Sequence, residues 1–149
     1  MERARVAIAD RAAHLGETTY GWSATEALGS RAFFAGDYLL RAAGAMAGWG
    51  GNDKLEAYYP IARVDADGRP FDATHNYRLT FDTLPPAKAF WSVTMYDTSY
   101  DGTAGYLVES PIGRYLVNST TERLAFADDG SITIHIQHDE PDTDEGRAN

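Results

Sequence analysis

The feature that most narrows the fold of this chain is a strict alternation near its end, Ser131-Ile132-Thr133-Ile134-His135-Ile136-Gln137. Successive side chains of an extended strand point to opposite faces. Three isoleucines therefore share one line, while Thr133, His135 and Gln137 share the other. The segment reads as a strand with one buried face and one polar face. Asp128-Asp129-Gly130 precedes it as a turn.

The same texture reaches back to about residue 52. Tyr58 to Val64 runs into the turn Asp65-Ala66-Asp67-Gly68. Tyr77 to Phe81 sets Tyr77, Leu79 and Phe81 on one face and Arg78 and Thr80 on the other. After the break at Leu84-Pro85-Pro86 come Phe90 to Tyr96, Tyr106 to Val108 and Tyr115 to Val117, separated by Asp101-Gly102 and Pro111-Ile112-Gly113. Short strands with turns every 8–12 residues or about that predict an antiparallel sandwich or barrel. Trp91, with Val93 and Met95, is expected in its core.

Residues 1–51 differ. They are Ala-rich and favour helix, with Ala4 to Leu15 stopped by Gly16 and a second helix over Phe33 to Ala47. At 100° per residue, Gly36, Leu39, Leu40, Ala43, Met46 and Ala47 fall in one arc of about 120°, a core-facing stripe. Asp37 and Arg41 form an i,i+4 pair in the favourable order. Ser23 and Glu26 have the form of a capping box. Ala42 to Ala45 are small enough to admit another backbone. The expected organisation is a helical segment over 1–51 and a β domain over 52–149.

Composition excludes several classes. With 149 residues and a net charge of −9, the chain lacks the basic patch that a nucleic-acid backbone requires. It contains no cysteine, which removes disulfides, thiolate metal sites and cysteine nucleophiles. The longest apolar stretch, Ala32 to Gly50, is interrupted by Asp37 and Arg41, so no membrane span is expected. Met1 to Asp10 carries charges throughout and no apolar h-region. The cytoplasm is the default compartment, with the periplasm open to longer relatives. The tail from Asp139 to Asn149 holds five acids and one arginine and reads as solvated.

Chemistry-bearing motifs are few. His135 and His138 stand three apart on a strand and so face opposite ways, which defeats a shared metal. Asp65 to Gly68 lacks the later ligands of a calcium loop. No nucleophile elbow, phosphate loop or dinucleotide fingerprint occurs. No cofactor or metal is expected. What survives is a polar constellation: Ser92, Thr94 and Tyr96 on one strand face, and Thr133, His135 and Gln137 on another, with Arg114 or Tyr59 as additions. Tyr96, Arg114, His135 and Gln137 are the candidate ligand-binding residues for a small molecule. The competing expectation is a hydrolase- or isomerase-like site with His135 as base and Tyr96 or Arg114 as electrophile.

Six segments in one order carry a resemblance. They are Asp37 to Ala43, Tyr59-Pro60, Asp65 to Gly68, Phe90-Trp91-Ser92-Val93-Thr94-Met95-Tyr96-Asp97, Pro111 to Tyr115, and Gly130 to Gln137. Together they resemble the carboxy-terminal module of the paired bacterial domain-of-unknown-function families 1254 and 1214. The resemblance implies a mainly β fold with N-terminal helices, an antiparallel jelly-roll-like β-sandwich preceded by a short helical segment. It implies a 1254-like domain upstream in longer relatives and a further strand beyond Asn149. An open sheet edge, and homo-oligomer formation through it, are then expected. No activity comes with the family, so no catalytic residue is carried over. The expected role is a non-catalytic or ligand-binding module that packs against a partner domain.

Overall fold

The computed structural model describes residues 1–24, 27–48, 50–97 and 105–149. Glu26 of the expected capping box and the Asp101-Gly102 turn lie outside the described residues. The chain divides into two units, Met1–Phe71 and Asp72–Asn149.

In the first unit, helix α1 (Glu2–Ala12) leads to strands β1 (Thr18–Thr19) and β2 (Trp22–Ala24), then helices α2 (Arg31–Phe34) and α3 (Tyr38–Ala47) and strand β3 (Pro60–Ala62). The strands form one antiparallel sheet in the order β1-β2-β3. Tyr20 and Gly21 link β1 to β2 with φ of 50° and 80°. That pair of positive values suits the twist of a two-residue hairpin.

The helix expected over Phe33 to Ala47 is two helices. Ala35 and Gly36 take φ of 45° and 91° and stop α2. Asp37 then starts α3 as its N-cap, its carboxylate accepting from the Leu40 N–H at 2.8 Å. Its side chain is occupied at the helix end instead of pairing along the helix with Arg41. Further along α3 the small residues admit a neighbouring backbone. Gly44 is buried, and a Cβ there would collide with the Ala27 carbonyl oxygen. Leu15, Ala27 and Ala43 form the core of this unit, with Ala12 and Leu40 packed on it.

The second unit holds β4 (Tyr77–Phe81), β5 (Ser92–Thr94), β6 (Tyr96–Asp97), β7 (Tyr106–Leu107), β8 (Leu116–Asn118), β9 (Ile132–Ile136) and helix α4 (Asp144–Ala148). All pairings are antiparallel and form three two-stranded ladders: β4–β9, β5–β8 and β6–β7. The strands are thus antiparallel, in small sheets, and the described residues form no closed barrel. Ile132 and Ile134 are 1% and 2% exposed, and Val117 on β8 is also buried. Phe81 and Trp91 stack obliquely, ring centroids 6.1 Å apart.

The tail departs from expectation. Thr143 caps α4, its hydroxyl accepting from the Gly146 N–H at 3.0 Å. The Arg114 guanidinium donates to the carbonyls of Arg147 and Ala148 at 2.6 and 2.5 Å. The Asn149 amide bonds the Ala125 backbone in both directions, at 2.8 and 2.7 Å. Helix-end carbonyls that lack intrahelical partners are satisfied in this way. The acidic segment is held down, not solvated throughout.

Candidate functional site

β4 and β9 pair in a register that sets Arg78 opposite His135 and Thr80 opposite Thr133. The apolar members of both strands, Leu79 with Ile134 and Phe81 with Ile132, are paired on the other face. Alternation alone therefore gathers a cation, an imidazole and two hydroxyls on one surface. The two threonine hydroxyls bond each other at 2.9 Å, and each keeps capacity for a further partner. Thr143 and Glu145, at the start of α4, complete an open groove of about 330 Å³ over this surface. His135 is half-buried and makes no hydrogen bond or ion pair among the described residues.

The other expected residues lie elsewhere. Tyr96 sits in the β6–β7 ladder opposite Leu107 and is 57% exposed. Arg114 is at the far end of α4 from the groove, holding the last carbonyls. Gln137 follows β9, and its Nε2 donates to the Asp139 carbonyl at 2.7 Å. Tyr59 belongs to the first unit and is exposed. The polar faces of β5 and β9 would form one patch only within one sheet, but β5 pairs with β8 and β9 with β4. Ser92 and Thr94 bond each other at 3.0 Å on their own ladder. Of the four expected residues, only His135 lines the groove.

Arg78, Thr80, Thr143 and Glu145 were missed. Arg78 and Thr80 already stood on the polar face of their strand by alternation; the missing knowledge was which strand they would pair with. Thr143 ahead of Asp144 and Glu145 carries the signature of a helix start.

Side chains elsewhere tie the backbone or pair locally. Asp65 Oδ1 accepts from the N–H groups of Asp67 and Arg69, both at 2.9 Å. Asn118 Oδ1 accepts from the Thr120 N–H and hydroxyl, both at 2.8 Å. His138 pairs with Asp139 at 3.0 Å. Among the described residues no group of three or more His, Asp and Glu is placed to hold a metal. No helix among them is long and apolar enough to cross a membrane.

No curated protein and no solved structure matches the chain. Residues 56–149, more than half of its length, match the family described as protein of unknown function DUF1214. That span takes in β3 and the whole second unit, and with it the groove. The chain belongs to this family, DUF1214.

Proposed function

We propose that the second unit is a non-catalytic module that binds a small hydroxylated carboxylate in the β4–β9 groove. The observation that carries this reading is Arg78 facing His135 across the ladder, beside the Thr80 and Thr133 hydroxyls. A planar guanidinium suits a carboxylate, and His135 adds a second donor. The threonine hydroxyls and the Glu145 carboxylate favour ligand hydroxyl groups over a second anion. Among the described residues His135 has no partner to orient it as a base, and the Arg114 guanidinium is engaged at α4, which favours binding over turnover.

The wider architecture that we propose for residues 52–149 is a jelly-roll-like sandwich packing against a partner domain. Support comes from uncovered apolar surface, including Phe90, Tyr96, Tyr106, Leu107 and Ile112.

Titration calorimetry with D-gluconate, and with D-glucose as the uncharged comparison, tests the binding reading. Saturable gluconate binding is expected, weakened at least tenfold or about that in Arg78→Gln and in His135→Ala. Equal binding of the two sugars, or indifference to both substitutions, would overturn it.

A further inference from the structure

We propose that the first unit carries a separate binding site for an aromatic monocarboxylate. A groove of about 600 Å³ opens there, lined by Arg11, His14, Glu17, Trp22, Leu40 and Tyr58 among others. That volume suits a small organic molecule, and the mixture of aromatic, aliphatic and a few charged walls is typical of such sites. It lies almost wholly ahead of residue 56, where the family match begins.

Each wall has a local reason. Arg11 stands in the last turn of α1 and is half-buried, and its Nη1 donates to the His14 carbonyl at 2.9 Å. One of five guanidinium N–H donors is thereby used, and the bond steadies the side chain. A pre-set planar fork is well matched to a carboxylate. His14 Nδ1 lies 2.8 Å from the Asp10 carbonyl oxygen, which can only accept. Nδ1 therefore carries the hydrogen, and Nε2 is the ring atom left to meet another group.

Trp22 on β2 and Tyr58 just ahead of β3 supply the aromatic surface, and Leu40 an aliphatic one. Lys54 Nζ stands 5.4 Å from the centroid of the Tyr58 ring. Arg11 is the cation of this lining and favours one carboxylate, while Glu17 opposes a second. The polar and aromatic groups together call for a flat ring bearing a single acid.

The probe is sodium 1-naphthoate, titrated calorimetrically into the full chain, with 1-naphthamide as a neutral comparison of the same shape. Naphthoate should bind saturably and at least tenfold or about that more tightly than the amide. Arg11→Gln should weaken naphthoate binding about tenfold or more and the amide much less, so that the preference is lost, which a purely structural role for Arg11 at the helix end would not do. Trp22→Ala should weaken both probes. No saturation with naphthoate, or equal affinity of the wild-type chain for the two probes, overturns the proposal. That comparison needs no variant, so it stands even where Arg11→Gln loses its fold. Unchanged naphthoate binding in a folded Arg11→Gln or Trp22→Ala chain would also overturn it.

Discussion

Asn149 is 2% exposed although its side chain is an amide. Burial of such a group is tolerable only when its hydrogen bonds are met, and here both the N–H and the carbonyl of Ala125 meet them. Arg114 does the complementary work, reaching across more than thirty positions to the carbonyls of Arg147 and Ala148. Nothing local in the sequence announces either role. Asn149 closes a run of acids, and Arg114 follows a turn. Their importance comes from groups far away along the chain. Asn149→Ala should therefore cost about 1–3 kcal/mol, because the Ala125 groups lose their partners. Arg114→Ala should cost a similar amount, with Arg114→Lys a poor substitute, since one ammonium cannot reproduce the planar fork. Chemical denaturation of the three variants checks this. Wild-type stability in Arg114→Ala would free that residue for a ligand role instead.

At the scale of elements, β9 was legible because alternation is a local signal that survives any choice of neighbour. Its depth of burial depends on that neighbour. Ile132 and Ile134 are buried, whereas Ile136, opposite Tyr77 at the end of the ladder, is only half-buried. Ile134→Ala should cost about 2–5 kcal/mol and Ile136→Ala distinctly less, measured by urea unfolding. The α2–α3 break was not legible, because Gly36 fits an apolar helical arc as well as it fits a stop. Only its φ of 91° separates the two.

The turn before β9 makes a pH prediction. Hydrogen bonds from Ser131, side chain first and then backbone, hold the Asp129 carboxyl below the usual carboxylate value. The Thr74 hydroxyl and N–H, with a lesser contribution from His75, lower Asp72 likewise. A depressed carboxyl contributes stability above its unfolded value and loses it as pH falls through the folded one. The chain should thus weaken on acidification from about pH 5 toward pH 2, and less steeply in Asp129→Ala. A steeper acid limb in that variant would contradict the sign. Both groups are exposed, so the effect is small.

For the whole molecule, the sequence pointed to a polar surface joining Tyr96, Arg114, His135 and Gln137, and of these only His135 lines the β4–β9 groove. Tyr96 and Gln137 were grouped with His135 on the premise of one sheet. Three separate ladders dissolve that premise, and pairing across more than fifty residues delivers Arg78 and Thr80 in their place. Pairing of that range is set by the whole chain's hydrophobic burial and leaves no local trace. The central claim is that this β4–β9 surface is a ligand groove. It is tested most directly by following backbone amide resonances while D-gluconate is added. The groove account predicts that the amides of residues 78–80, 133–135 and 143–145 shift together along one saturating curve, with those of 92–94 and 116–118 unmoved. Shifts that never saturate, or that centre on Tyr96 and Arg114 and leave Arg78 and His135 still, would contradict it.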